Sequence, residues 1–398
     1  MPCMGIDTMK YMGHKGRMLS TLWSVIKKNL DGVHRIADPF CGTASVSWFL
    51  ASHTTVKVIS GDLQLFAAIR GAAVVERTCV LEQPRLHFDK WFLRAKDILS
   101  EIIDAFPSGV MAINREFVTE NDAEAYVIRC RNFCSRVLPF VLSDRKDSFG
   151  ISLAYGGYYY SPFQALVLDS LRQTVPDVPD LKNIFIAALI DAASKCVAAP
   201  GHTAQPFQPT KSSTKYILEA WSRNIWEYVY NAGMAIAEKH ACVQGTAIQG
   251  DYRKCLDLLE AGDMVFADPP YSDVQYSRFY HVLESLAQGK NYAVSGTGRY
   301  PEQKYRPISA FSKRSLAKVA IRELIELSAT KGFKLILTFP NHVSSNGLSA
   351  EIIKNIASDY YDNIEQIPFK SNFSTLGGNG ENRKGRFSCD ESILCMKL

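Results

Sequence analysis

Four consecutive residues, Asp268-Pro269-Pro270-Tyr271, concentrate more chemistry than any other stretch of the chain. The prolines fix φ and carry no backbone N–H, and a residue before proline is held extended. The turn is therefore stiff, and it presents carbonyl oxygens without competing donors. Asp268 adds a carboxylate, an acceptor when ionised. Tyr271 adds a flat aromatic face. This set suits a planar ring bearing an exocyclic NH₂: the acceptors take its two hydrogens and the tyrosine stacks on its face. An aromatic amine is a poor nucleophile because its lone pair is delocalised into the ring. Gripping both N–H bonds localises that pair for attack. Read alone, the same four residues also describe a proline-rich turn with a helix-capping Asp.

A second cluster lies far upstream. Val33 to Ala37 reads as a short strand and runs into Asp38-Pro39-Phe40-Cys41-Gly42-Thr43-Ala44-Ser45. A helix follows through Val46 to Ala51. The glycine lets a ligand approach the backbone closely, and a helix N-terminus favours negative charge such as a carboxylate. A second strand, Val56 to Ser60, ends at Gly61-Asp62. Asp62 falls twenty residues after Gly42, the spacing at which an acidic residue takes ribose hydroxyls in dinucleotide folds. The turn lacks the full G-x-G-x-x-G and has no Lys-Ser/Thr ending, which argues against a phosphate-cradling loop. A nucleoside without phosphates fits, and S-adenosylmethionine is such a cofactor. The plainer alternative is an ordinary βα turn with Asp62 as a cap.

An α/β sheet has to hold these turns, because ligands sit just outside the carboxyl ends of its strands. Met264-Val265-Phe266-Ala267 reads as a buried strand, and Phe279, Val282, Leu283 and Leu286 share one face of the helix after the corner. Leu19, Leu22, Trp23, Ile26 and Leu30 mark an early amphipathic helix; Leu316, Val319, Ala320, Ile321, Leu324 and Leu327 mark another. Phe333 to Phe339 is a strand stopped by Pro340-Asn341. Ile352, Ile353 and Ile356 suggest a last helix, and Ile364 to Phe369 with Ser392 to Leu398 a closing hairpin. Its connection carries Arg383, Lys384 and Arg386, a candidate phosphate contact. Residues 294–307 read as an exposed loop. Between residues 76 and 244 helical stretches dominate. Ile184 to Ala199 is apolar nearly all round and predicts a buried helix, while Tyr155 to Pro162 and Gly201 to Phe207 read as loops. Arg129, Arg131 and Arg136 share one segment, and arginines among tyrosines suit phosphates and bases. A solvated helix face accounts equally well for any one of them.

Composition bounds the rest. At 398 residues and 47% hydrophobic, the chain holds one large domain or two ordinary ones. A net charge of +5 is mildly basic, compatible with a polyanion. The ten cysteines lack the paired spacings of a zinc site, Cys130 and Cys134 coming nearest, so no metal is expected. They read as reduced structural thiols of a cytoplasmic protein. There is no signal-peptide core and no apolar run of about 18 residues, so no membrane is expected.

Three pieces, in order, resemble the motifs of Dam-type (alpha-class) adenine-specific DNA N6-methyltransferases. Lys10-Tyr11-Met12-Gly13-His14-Lys15 resembles their amino-terminal motif, Asp38-Pro39-Phe40-Cys41-Gly42 their cofactor loop, and Asp268-Pro269-Pro270-Tyr271 their catalytic motif. Asp251-Tyr252 is similar to their Asp-aromatic pair upstream of the catalytic strand. Two positions differ: His14 stands where the family commonly has glycine, and Thr43-Ala44-Ser45 lacks its usual second glycine.

The resemblance implies a Rossmann-like S-adenosylmethionine-dependent methyltransferase sheet in residues 1–75 and 245–398, with an inserted, mainly helical target-recognition domain in residues 76–244. It implies that Tyr11 and Lys15 close over the cofactor, Lys15 near its carboxylate. Asp38, Phe40 and Gly42 would form the pocket, Asp62 would hold the ribose hydroxyls, and Asp251 with Tyr252 the adenine. Asp268 and the Pro269 carbonyl would take the target amine hydrogens, with Pro270 stiffening the corner and Tyr271 stacking on the flipped base. The implied partner is double-stranded DNA, the implied location the cytoplasm, and a cognate restriction endonuclease stays open as a further partner. The alternatives are methylation of RNA adenine or of cytosine N4, and a non-catalytic DNA-binding module on the same fold. Asp268, where cytosine enzymes often carry Ser, favours adenine by resemblance. Residues 76–244 spell no base-reading code.

Overall fold

The apolar runs of the sequence become strands of one seven-stranded sheet. The structure, a computed structural model, describes residues 19–105, 122–374 and 386–398. It divides into two units: unit 1 takes the chain through Val80, then Lys239–Ser277 and Pro307–Leu398, and unit 2 takes Leu81–Glu238 and Arg278–Arg306. Among the described residues no helix is long and apolar enough to cross a membrane.

Unit 1 opens with α1 (Leu19–Lys28), whose buried Leu19, Leu22, Val25 and Ile26 recur at helical spacing. Then come β1 (Arg35–Asp38), α2 (Ser45–His53), β2 (Lys57–Asp62) and α3 (Leu65–Val75). After unit 2's long segment the chain forms β3 (Thr246–Gln249), the short α4 (Arg253–Leu256) and β4 (Met264–Ala267). It closes with α5 (Ala317–Thr330), β5 (Lys334–Pro340), α6 (Ala350–Ala357), β6 (Asn363–Ser374) and β7 (Arg386–Lys397). The strand order is β3-β2-β1-β4-β5-β7-β6. Only β7 runs against its neighbours, pairing antiparallel with both β5 and β6. Chain progress runs one way from β1 and the other way from β4, so their junction is the switch point where α/β sheets bind ligands.

The core follows from strands buried on both faces. Ala37, Val265, Leu335, Leu337 and Leu394 pack with Ile321, Leu324 and Ile353 in one apolar cluster. At the end of the sheet opposite the switch-point turns, buried Asp263 accepts the backbone N–H of Arg35 at 2.9 Å, of His34 at 3.2 Å and of Glu260 at 2.8 Å. That anchor ties the start of β1 to the start of β4. Arg77 closes the point where the chain leaves and re-enters the unit: Nη1 donates to the Cys79 carbonyl, Nη2 to that of Lys239, and Ala241 N–H to the Arg77 carbonyl at 2.7 Å.

Several elements differ from the sequence reading; within residues 294–307, read as an exposed loop, Val294–Ser295 pairs antiparallel with Tyr300–Pro301. β3 was not anticipated; its residues are half-buried or exposed, so no apolar run announces it. The helix expected after the corner is two short ones, Tyr276–Phe279 and His281–Gln288. Tyr280 between them has φ −127, outside the helical region. The closing hairpin is longer than expected, twelve residues a strand.

Unit 2 is mainly helical. Trp91 and Phe185 stack at 4.5 Å between helices Pro84–Ala105 and Pro179–Cys196. The latter takes in most of Ile184 to Ala199, expected as a buried helix because it is apolar nearly all round, and Ile184 through Ile190 are buried in it. The tyrosine-rich stretch read as a loop is internal instead. Tyr155, Tyr159 and Tyr160 are fully buried, and their hydroxyls bond Ser285 Oγ at 2.9 Å, the Thr203 carbonyl at 2.6 Å and the Ala193 carbonyl at 3.0 Å. Buried hydroxyls need such partners, so these rings are not available to stack on bases. Unit 2 also receives Arg278–Arg306, a return with no signal in the sequence.

Candidate active site

β4 is buried along its length and ends directly before Asp268. β1 lies beside it in parallel register, Ile36 opposite Met264 and Ala37 opposite Val265. The proline corner and the glycine turn therefore leave neighbouring strands at the same edge of the sheet. They share one cleft of about 210 Å³ within unit 1. Asp38, Phe40, Gly42, Asp62, Asp251, Tyr252, Asp268, Pro269, Pro270 and Tyr271 all line it.

On one side the chain winds tightly. Gly42 has φ +50 and Ala44 φ +59, both left-handed. Ala44 thus holds, without being glycine, the conformation that a second glycine would hold freely. Asp62 braces the turn: Oδ2 accepts Gly42 N–H at 3.1 Å and Oδ1 accepts Gln64 N–H at 2.9 Å. Beneath it the buried Arg70 donates from Nε to the Thr43 carbonyl at 3.1 Å and lies 4.8 Å over the Trp48 ring. Burial lowers its pKa to about 9.

Asp38 is 1% exposed and accepts a 2.6 Å hydrogen bond from Ser47 Oγ at Oδ2. Burial raises its pKa to about 7, the Ser47 bond opposes the rise, and the nearby charges of Asp268 and Asp62 add to it. Phe40, Tyr252 and Phe311 make an aromatic slot: Phe40 stacks on Tyr252 at 6.0 Å, and Phe311 meets them edge-on at 5.1 and 5.7 Å. The Tyr252 hydroxyl is buried in the slot with no hydrogen-bond partner among the described residues. Arg253 lies 4.7 Å over the Tyr252 ring and pairs with Asp251 at 2.8 Å and with Glu323. These rings line the cleft, an orphaned donor lies among them, and the Asp251 and Glu323 carboxylates flank them. That donor set matches the nucleoside and cationic groups of S-adenosylmethionine.

On the other side the corner's acceptors are sorted. Thr338, fully buried on β5, donates to Asp268 Oδ1 at 2.7 Å. Asn346 Nδ2 donates to the Pro270 carbonyl at 3.2 Å and to the Phe311 carbonyl at 3.1 Å. No described residue donates to the Pro269 carbonyl. Gln275 Nε2 holds the Ser309 and Ser312 carbonyls at 2.9 and 3.1 Å, fastening the chain beyond the corner. The Tyr271 ring stands edge-on to Phe339 at 6.1 Å.

Other expected residues lie elsewhere. Arg129 and Arg136 are exposed on unit 2, whereas Arg131 spends its guanidinium on the Gly157 and Phe207 carbonyls and Gln208. Tyr11, Lys15, Arg383 and Lys384 lie outside the described residues, and Arg386 is described only as the first residue of β7. Sequence reasoning missed Thr338, Asn346, Phe311 and Arg253. Only Arg253 had a local signal, its place beside Asp251-Tyr252.

No family model matches the chain. It is 23% identical to Modification methylase LlaI of Lactococcus lactis subsp. lactis over 325 residues, 79% of this chain and 44% of that protein. It is 21% identical to Modification methylase StsI of Streptococcus sanguinis over 374 residues, 91% of this chain and 48% of that protein. The chain thus spans about half the length of these curated relatives.

Proposed function

We propose that the chain transfers a methyl group from S-adenosylmethionine to the exocyclic N6 of an adenine flipped out of double-stranded DNA. The observation that carries this reading is the single cleft joining the glycine turn of β1 to the proline corner of β4. The relatives' name, modification methylase, supports methylation as the activity. The resemblance to Dam-type enzymes supports adenine and DNA.

When bound, the cofactor supplies a methyl carried on a positively charged sulfur. The chain's residues do the rest. The aromatic slot of Phe40, Tyr252 and Phe311 takes the cofactor's purine, with Asp251 at its edge. Asp62 is the carboxylate for the ribose hydroxyls, and Asp38 is a buried anion facing the cationic end. Tyr11 and Lys15 close the pocket by resemblance alone. Asp268 and the Pro269 carbonyl accept the two N–H bonds of the target amine, which turns its lone pair out of conjugation. With the cofactor bound, the nitrogen would take the methyl as the carbon–sulfur bond breaks and the sulfur leaves as a neutral thioether, and the Asp268 carboxylate is the group on the corner able to take the proton released. No covalent enzyme intermediate is needed. Flipping the base costs about a few kcal/mol, offset by stacking on Tyr271 and by contacts to phosphates. Arg129, Arg136, Arg383, Lys384 and Arg386 are the proposed phosphate contacts.

The test uses labelled methyl incorporation into duplex DNA and structured RNA. The Asp268→Ala variant should lose about a hundredfold or more in transfer while calorimetry gives an unchanged cofactor affinity. Near-normal transfer by that variant discards the mechanism, and incorporation into RNA alone discards DNA as substrate.

A further inference from the structure

In residues 278–306, within unit 2, two guanidiniums approach the Tyr300 ring, Arg278 at 5.0 Å and Arg306 at 5.5 Å from its centroid. Beside it in sequence, Arg299 lies 4.1 Å over the Tyr158 ring, which Arg131 also approaches at 4.5 Å. Arg299 has φ +50, rare for a residue with a side chain. Its N–H closes a turn onto the Gly296 carbonyl at 3.0 Å. This turn brings two consecutive residues into guanidinium–ring contacts, Arg299 with Tyr158 and Tyr300 with Arg278 and Arg306. Among the described residues no carboxylate pairs with any of the four arginines. Four positive charges without a counter-ion repel one another, and an anion would relieve that repulsion.

Donor accounting singles out one of the four. Arg131 gives all three nitrogens to protein acceptors. Arg299 gives Nε to the Ala154 carbonyl and Nη2 to the Leu153 carbonyl. Arg306 gives Nε to the Pro301 carbonyl at 3.1 Å and Nη2 to Gln303 Oε1 at 2.8 Å. Among the described residues Arg278 gives only Nε, to the Tyr300 hydroxyl at 3.1 Å. That hydroxyl itself donates to the Ala204 carbonyl, so the ring is fixed. Arg278 is therefore exposed and oriented, with both Nη groups unspent.

We propose that Arg278, held by Tyr300 and seconded by the charge of Arg306, binds a phosphodiester of the DNA backbone through both Nη groups. A guanidinium presents paired N–H bonds that match two phosphate oxygens, and such contacts fix register without reading sequence. Arg278 is the first residue of the segment that returns to unit 2. The assignment rests on DNA as the substrate.

The test measures binding of the full chain to a 30-base-pair mixed-sequence duplex by fluorescence anisotropy across a salt series. A neutralised phosphate contributes a slope of about 0.9 in log K against log salt. Arg278→Gln should reduce the wild-type slope by about one and weaken binding. Arg278→Lys should keep the slope and still weaken binding, because the charge remains and the fork is lost. Both variants should keep the wild-type melting temperature and cofactor affinity. A wild-type slope and affinity in Arg278→Gln overturns the site while leaving methyl transfer to the duplex untouched. Failure of the wild type to bind the duplex overturns both. Binding without methyl incorporation overturns the catalytic reading and leaves the phosphate site standing.

Discussion

Thr338 shows how little of the proposed catalytic arrangement resides in its motif. Its hydroxyl holds one oxygen of Asp268 at 2.7 Å, and a donor to a carboxylate stabilises the charged, accepting form. Hydrogen bonds to charged groups are worth about 1.5–3 kcal/mol. Thr338→Val should therefore lower the rate of methyl transfer about tenfold to a hundredfold, with cofactor affinity unchanged, in single-turnover measurements. An unaltered rate would remove Thr338 from the machinery. Asp268 was legible because its neighbours in sequence are its neighbours in chemistry. Thr338 was not. It stands 70 positions from its partner, inside Lys334–Pro340, where a single β-branched hydroxyl reads as strand filler. Asn346 was equally silent, since what it does depends on a carbonyl brought to it by the fold.

Among elements, the turn between β1 and α2 is the most constrained. The sequence shows one glycine there and an alanine where a second is usual, and the backbone is left-handed at both Gly42 and Ala44. Left-handed geometry costs a non-glycine residue about 1–2 kcal/mol. The turn is kept despite that cost by Asp62 at Gly42 and by Arg70 at the Thr43 carbonyl. Ala44→Gly should thus stabilise unit 1 by up to about 1 kcal/mol, partly offset by the added freedom of the unfolded chain. In a thermal melt this appears as a rise of about 2–4 °C; a fall would mean that the buried methyl packs better than the strain costs. The sheet strands carrying this turn were readable because burial on both faces demands continuous apolar runs. β3 was not, because an edge strand carries no such demand, and nothing local says which segments return to which unit.

Burial lifts a carboxyl to a pKa of about 7 in each unit, Asp38 in unit 1 and Asp169 in unit 2. Asp169 reaches that value although it accepts the Ile151 and Ser152 N–H groups and the Ser152 hydroxyl. A folded-state pKa above the unfolded one means that the native protein binds the proton more tightly. The contribution of these two groups to stability is therefore full below about pH 4 and falls as pH rises, until both have ionised above about 7. The slope is about 1.4 kcal/mol per pH unit for each group inside that window. Asp38→Asn should flatten the unit 1 share of the decline between pH 5 and 7 in denaturant titrations. A decline of unchanged steepness would place the proton elsewhere. Ionised Asp38 is also the form that attracts a cation, so cofactor binding should release a proton near neutrality, visible as a buffer-dependent heat.

The Asp263 anchor has a consequence for the order in which the molecule comes into being. Arg35 precedes it by 228 positions, and parallel pairing of β1 with β4 waits until both have been made. At about 5–20 residues per second of synthesis, the first two strands spend about 10–45 s with an unpaired edge. Meanwhile the helical insert is already leaving the ribosome. Neither unit is complete until late: the β1–β4 edge of the cleft waits for Met264–Ala267, and unit 2 waits still longer for Arg278–Arg306.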